Sequence, residues 1–264
     1  MTKSRVDILL VERGLADSRN QAQRLVMAGQ VRAGDQVVTK PSTLLPRDTS
    51  LAVVLGPRFV SRGGEKLLAA LQAFEVDPED KTCADVGAST GGFTDCLLQH
   101  GATKVYAIDV GQGILHWKLR QDPRVVVMED CNARYLEHLP EPVELVTIDA
   151  SFISLKVLLP VVREWFQPTP GSVGEATVIA LIKPQFEAGR AEAAHGEGVI
   201  RDPAVHRQVL EQVLAFAQSE GYTVRGLLRS PLRGPKGNVE FLAWMDLTAE
   251  ATRDLKEMIE RALL

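Results

Sequence analysis

The stretch DVGASTGGFTD, Asp85 to Asp95, closes an apolar run and crowds Gly87, Gly91 and Gly92 together with Ser89 and Thr90. This is the composition of a turn that leads a strand into a helix beside a ligand. Glycine lets the backbone come close, and the new helix offers the positive end of its dipole. A dinucleotide turn reads Gly-x-Gly-x-x-Gly. Here Gly87-Ala88-Ser89-Thr90-Gly91-Gly92 has Ser89 at the second glycine position, an imperfect match for pyrophosphate. These six residues, and Phe93, which also reads as core of the following helix, are the first cofactor-site candidates. Asp95 stands early in that helix, where a carboxylate suits the dipole whatever the function.

Three further acids end apolar runs. Asp109, followed by Val110, closes "KVYAID" about twenty positions on, where a carboxylate grips a ribose diol. Asp130 follows "RVVVM" and is placed for an adenine edge, with Cys131 and Asn132 beside it; Asp149 closes "ELVTID". Asp109 alone reads equally as an ordinary strand-end turn residue. A nicotinamide dehydrogenase needs only the glycine turn and the first of these acids. Four successive strands that each end in or beside an Asp have the layout of a Class I S-adenosylmethionine-dependent methyltransferase.

Methyl acceptors differ in the machinery they need. No Cys lies in a nucleophile motif, and no Asn-Pro-Pro-Tyr-like segment of the amino-group methylators is present. Lys66 precedes the first of these strands, Asp149 follows the fourth, Lys183 follows the fifth in "LIKPQFE", and Glu240 reads as part of the seventh in "GNVEFL". Strand ends converge on one crevice, so the four can meet. Two lysines and two acids make a nearly neutral cluster, tolerable when partly buried because each charge has a partner. Lys66 by itself reads as a surface helix lysine; Lys183, behind "VIALI" and before a proline, is harder to read that way.

The elements that position these residues are legible in the hydrophobic pattern. "CADV", "KVYAID", "RVVVM", "ELVTID", "TVIALI", "TVRGLL" and "VEFLAW" are seven strand candidates separated by helical patterns, which predicts an α/β, doubly wound, mostly parallel sheet. A helix beginning near Glu65 leads into it through Leu67, Leu68 and Leu71 to Phe74. Ahead of it "LGPRFVSRGGEK" reads as a linker over about 56–63, dividing a small α+β domain, 1–60, from a larger one, 61–264. In the small domain Val6, Leu9, Leu10 and Leu15 mark one helix, Ser18 caps a second with Gln21 three residues on, and Gly34-Asp35 turns a hairpin. The stretch Glu187–Gly198 reads as a mobile loop.

Net charge is −4, an average that conceals an asymmetry. Residues 1–62 hold ten Lys/Arg against five acids, so that segment carries +5 and the remainder −9. Arg19 and Arg24 on the second helix, Arg32 and Lys40 around the hairpin and Arg58 in the linker are candidate phosphate contacts; the bland reading is a solvated helix face. No apolar run is long enough to cross a bilayer, and no secretory signal is read at the N-terminus, so a cytoplasmic protein without a membrane is expected. Cys83, Cys96 and Cys131 lack Cys-x-x-Cys spacing, and His116, His195 and His206 lack metal-ligand spacing; no metal is expected.

The segment from Ser4 through "GQVRAGDQVVTKPS" closely resembles the S4-like RNA-binding domain of ribosomal proteins, pseudouridine synthases and tyrosyl-tRNA synthetases. The order Lys66-Asp149-Lys183-Glu240 resembles the tetrad of the FtsJ/RrmJ group of RNA 2′-O-methyltransferases. "SRGGEKL", "DVGASTGGFTDCLLQHGATKVYAIDVGQGIL", "TIDASFISL", "IKPQFEAGR", "GVIRDPAVH" and "SPLRGPKGNVEF" resemble the TlyA family over nearly the whole chain, with no tetrad member lost. The resemblance implies S-adenosylmethionine-dependent methylation of the ribose 2′-oxygen of cytidine in ribosomal RNA, 23S and alternatively also 16S, with ribosomal RNA or ribosomal subunits as partner. Within it, Lys183 is the candidate for orienting and deprotonating the hydroxyl, its pKa lowered by Lys66 and burial. Asp149 would position Lys183, and Glu240 would balance Lys66. A protonated Lys183 that stabilises developing alkoxide is equally compatible. The rival readings are an RNA-binding ribosome-assembly factor without turnover and, from the family's historical name, a hemolysin.

Overall fold

The computed structural model describes residues 2–54, 56–166, 176–188, 198–248 and 254–264, in two compact units, Met1–Arg58 and Phe59–Leu264. Residues 189–197 of the expected mobile loop, His195 among them, lie outside the described residues.

In the first unit β1 (Lys3–Arg5) pairs antiparallel with β4 (Leu44–Pro46), and β2 (Val31–Ala33) lies between β3 (Gln36–Val38) and β5 (Leu51–Val53). Helices α1 (Val6–Glu12) and α2 (Arg19–Met27) bury Val6, Leu10, Ala22 and Val26 against Val31 and Val38. Ser18 Oγ accepts the Gln21 N–H at the start of α2, which supplies one partner for the helix's free donors. Asp7 is fully buried, and its carboxylate accepts from Arg5, from Arg19 Nε at 3.0 Å and from Gln23. The Arg5 guanidinium, against the opposing pull of burial, holds that carboxyl well below the usual range, with Gln23 and Arg19 assisting. Arg19 is thus partly engaged within the domain. Arg24, Arg32, Lys40 and Arg58 are exposed.

The second unit holds α3 (Gly63–Phe74), β6 (Thr82–Val86), α4 (Gly92–Gln99), β7 (Lys104–Ile108), α5 (Trp117–Arg120), β8 (Val125–Met128), β9 (Leu145–Ile148), α6 (Leu155–Arg163) and β10 (Thr177–Ile182). It continues with α7 (Pro184–Glu187), α8 (Pro203–Ser219), β11 (Thr223–Arg229), β12 (Phe241–Asp246) and α9 (Leu255–Leu263). The seven strands run β11-β12-β10-β9-β6-β7-β8, with β12 antiparallel to both neighbours and the other pairs parallel. β9 and β10 are buried at every position and apolar except at Thr147 and Thr177, because both faces are covered. One face packs on Leu67, Leu71, Phe93 and Leu97, the other on Leu158, Leu159, Leu210, Leu214 and Ile259. Strand order reverses at β6, which has β7 on one side and β9 on the other. That switch point opens a crevice at the carboxyl ends of the strands, where the glycine turn lies.

Three local expectations are corrected. Helix α3 starts at Gly63 rather than near Glu65, because Gly64 lets the helix lie on Phe59: a Cβ there would come within 2.3 Å of that ring. Glu240 stands one residue ahead of β12 instead of inside the strand. Short 3-10 turns stand in place of the expected helices between β11 and β12 (Pro235–Gly237), where antiparallel pairing permits it, and between β8 and β9 (Ala133–Tyr135).

Candidate active site

Each tetrad residue is delivered by a different element. Asp149 follows β9, with its N–H on the Val86 carbonyl at 2.8 Å. Lys183 follows β10 and precedes Pro184, which opens α7. The antiparallel register Ile182↔Phe241 brings Glu240 alongside Lys183, and Lys66 comes up from α3. All four are close enough to line a single cavity of about 820 Å³, together with Gly87–Thr90, Gly92 and Phe93.

Within that cavity the charges pair. Lys183 Nζ lies 2.6 Å from Asp149 Oδ1, and it also donates to the Asp149 carbonyl at 3.2 Å and to Ser151 Oγ at 2.9 Å. Lys66 Nζ lies 2.5 Å from Glu240 Oε2, and both groups are buried. Glu240 Oε1 has no hydrogen-bond partner among the described residues, and Gly234 packs so closely on it that a Cβ would stand 2.0 Å away. Asp85, fully buried below the turn, accepts from Thr94 Oγ1 at 2.7 Å and Thr147 Oγ1 at 3.1 Å. Burial pushes its carboxyl up to about 7, despite the hydrogen bond from Thr94.

The turn's glycines serve the protein's own packing. Gly87, at φ +83°, lies where a Cβ would meet the backbone of Asp149 and Ala150 within 2.9 Å; at Gly91 a Cβ would strike Leu119. The close approach expected toward a ligand is thus, for these two, an approach between β6 and β9 and between α4 and its neighbours. Ser89 and Thr90 remain exposed. Gly91 caps α4 without a side-chain hydrogen bond, so the helix's first donors are left to other partners. Asp109 ties the turn to the next strand end: Oδ2 accepts from Ser89 N at 2.8 Å and Oδ1 from Gly111 N at 2.7 Å.

The structure does not place every sequence candidate on this cavity. Gly91, Asp109, Val110, Asp130 and Cys131 are absent from its lining; the last four stand at the neighbouring strand ends β7 and β8. Asn132 caps the short turn Ala133–Tyr135 through Arg134 N. Asp95 accepts the Val60 N–H at 2.8 Å and so fastens the segment entering α3. Cys83 and Cys96 are buried thiols outside any disulfide. Ser151, Phe152, Gln185, Phe186 and Arg62 line the cavity without having been sequence candidates. Ser151 stands two residues beyond Asp149 on the same strand-end turn. Glu187 anchors the α7 corner, taking Ser154 Oγ and Leu155 N at 2.6 and 2.7 Å.

The residues present fit a sulfonium nucleoside: an uncapped helix start, a carboxylate at the second strand end and a cavity floor holding paired charges. The FtsJ-like methyltransferase model matches residues 59–247, and the S4 domain model residues 4–49. A Mycobacterium tuberculosis protein named 16S/23S rRNA (cytidine-2′-O)-methyltransferase TlyA is 42% identical over 268 residues, 99% of this chain and 97% of the relative. Hemolysin A of Brachyspira hyodysenteriae is 39% identical over 245 residues, 90% of this chain and 98% of the relative. A solved Streptococcus thermophilus chain bearing the hemolysin name superimposes with a TM-score of 0.71 at 44% identity, covering 99% of this chain and 96% of that one. Among the described residues no helix is long and apolar enough to cross a membrane. The chain belongs to the TlyA family of FtsJ-like methyltransferases, enzymes that take S-adenosylmethionine as methyl donor.

Proposed function

We propose that the chain methylates the ribose 2′-oxygen of cytidine in ribosomal RNA, acting in the cytoplasm on ribosomal RNA or a ribosomal subunit. The observation that carries this reading is the pairing of Lys183 with Asp149, and of Lys66 with Glu240, in the cavity that holds the glycine turn. The bound cofactor supplies an already electrophilic sulfonium methyl. What remains for the chain is to hold the hydroxyl in line and to manage its proton.

Lys183 is the group assigned to that hydroxyl. Its three contacts, the Asp149 carboxylate, the Asp149 carbonyl and Ser151 Oγ, match the three donors of an ammonium. This supports a charged Lys183, which steadies developing negative charge and orients the nucleophile by turning one donor, such as that on Ser151 Oγ, to the hydroxyl. As a base it must first pass a proton to Asp149, at 2.6 Å, and the neutral amine so formed then takes the proton of the hydroxyl. Glu240 neutralises Lys66 and prevents two buried ammonium groups from facing the same hydroxyl. The turn at Gly87–Gly92 with Phe93, and Asp109, are assigned to the cofactor, the carboxylate to its ribose; Val110, Asp130 and Cys131 are assigned to its base at the rim.

The exposed cations Arg24, Arg32, Lys40 and Arg58, with Arg19, are assigned to RNA phosphates. They supply the sign that the remaining −9 charge cannot. The test is mapping of ribose methylation in ribosomal RNA from cells with and without the gene, repeated with purified protein and S-adenosylmethionine. Cytidine sites that vanish with the gene and return with the protein support the reading. An unchanged map, with no transfer in vitro, overturns it.

A further inference from the structure

Beside the catalytic cavity lies a second, of about 440 Å³, walled by Arg201, Arg229, Arg233 and Lys236 over a floor of His206 and Phe241. No acid is among the described residues that line it. The four cations are exposed, and Arg201, Arg229 and Arg233 have no carboxylate partner among the described residues. Such a cluster is unexpected here, because residues 63–264 carry −9 and acids are plentiful. Like charges gathered in a wall that holds no carboxylate repel one another, and they are the electrostatic footprint of an anionic ligand.

The walls are held in place. Asn238, buried, accepts the Ile200 N–H at 3.1 Å and donates to the Gly198 carbonyl at 3.0 Å. His206 Nε2 lies 3.1 Å from the Ile200 carbonyl, and its ring meets Phe241 edge-on. The segment carrying Arg201 is thereby riveted to the turn carrying Arg233 and Lys236. Lys236 is itself held at φ +56°, a conformation that L side chains adopt at a cost. Arg233 and Lys236 also line the catalytic cavity, and Gly234 between them presses on Glu240.

We propose that this basic cavity binds a phosphodiester of the substrate RNA that flanks the methylated ribose, an inference that rests on the RNA-methyltransferase reading above. Guanidinium forks match phosphate oxygens in a bidentate way that ammonium groups do not. A phosphate held here fixes the neighbouring ribose over the tetrad, and in-line transfer depends on that placement. Such a contact positions the substrate without reading its bases.

The test uses full-length protein carrying Arg201→Gln, Arg229→Gln or both, which touch only the basic cavity, with Lys256→Gln on α9 as a control for net charge. S-adenosylmethionine binding is measured by calorimetry, and methylation of transcribed ribosomal RNA is followed across a salt series. Parental cofactor affinity is expected throughout, with parental kinetics for the control. Each arginine variant should raise the apparent KM for RNA roughly tenfold and lower the salt slope by about one. A methylphosphonate at one flanking position should raise KM for the parent and add nothing in the double variant. A double variant with parental KM and salt slope overturns the proposal, and the same result with loss of inorganic phosphate binding assigns the cavity to a free anion instead. A parent that methylates no RNA defeats the underlying reading before the arginines are tested.

Discussion

Glu240→Gln exposes how much of the site is held by a single buried ion pair. The Glu240 side chain is fully buried and that of Lys66 is 11% exposed, with 2.5 Å between Nζ and Oε2. At an effective dielectric of ~20 their attraction is about 6–7 kcal/mol, and the cost of taking both from water offsets a good part of it. The variant keeps an acceptor but leaves the ammonium without a counter-charge, so a loss of about 3 kcal/mol is expected. For a unit of about 200 residues that corresponds to a fall in Tm of roughly 6–12 °C. Lys66→Met should cost a comparable amount, because it strands the carboxylate. The double variant should recover much of either loss, giving a coupling of at least about 1.5 kcal/mol in urea unfolding. If the single changes add without coupling, the two side chains do not act as partners and the electrostatic account of the tetrad fails.

Four other outcomes follow from the same geometry. Lys183→Ala should lower single-turnover methylation by a factor of about 10³ or more while calorimetric cofactor affinity stays within twofold of the parent; a parental rate removes its catalytic role. Asp109→Ala deletes the carboxylate that joins Ser89 and Gly111 and should weaken S-adenosylmethionine by about 2 kcal/mol, near thirtyfold; unaltered calorimetry sinks the ribose assignment. Asp85 ionises near 7 when folded and near ~4 when unfolded, so its contribution to stability is complete below pH ~4 and declines as pH rises to about 7. Asp85→Asn should therefore remove a decline on the order of 4 kcal/mol between these limits, and a variant whose urea midpoints keep the parental pH dependence contradicts the raised value. Replacing exposed Arg24 and Lys40 by Gln should reduce the salt slope of RNA binding by about one unit for each phosphate no longer neutralised, and an unchanged slope places the RNA elsewhere.

The sheet was readable because its strands obey a simple rule: with both faces covered, most positions are apolar, so "VIALI" and "LVTI" announce themselves despite an occasional buried polar residue such as Thr147. The strand ends were readable for the same reason, since the first charged residue after such a run marks where the strand stops, as Asp109, Asp149 and Lys183 do for β7, β9 and β10. Glu240 was harder to place to the residue, because β12 is antiparallel and its first residue, not its last, lies at that crevice. The start of α3 was missed because Gly63 and Gly64 read as linker, whereas the helix needs the missing side chain at Gly64 to lie against Phe59.

The glycine turn shows why a motif can be legible while its physical reason is not. A sequence records that Cβ is absent at Gly87 and Gly91, but not what occupies the space. Here that is the backbone after β9 and the Leu119 side chain. Ser151 escaped notice because a serine two residues past a strand end carries no distinctive pattern, and only folding brings it within 2.9 Å of Lys183. The basic cavity was hidden by averaging. Four cations spread from 201 to 236 vanish in a segment whose sum is −9, and a strand-turn-strand excursion is needed to bring Arg229 and Arg233 to the end of the segment that carries Arg201. Salt screens exposed charges beyond a Debye length, so a phosphate at the surface responds to the few charges nearest it rather than to the net charge of the domain. An acidic domain can thus act on a polyanion when arginines without a carboxylate partner stand beside its catalytic cavity.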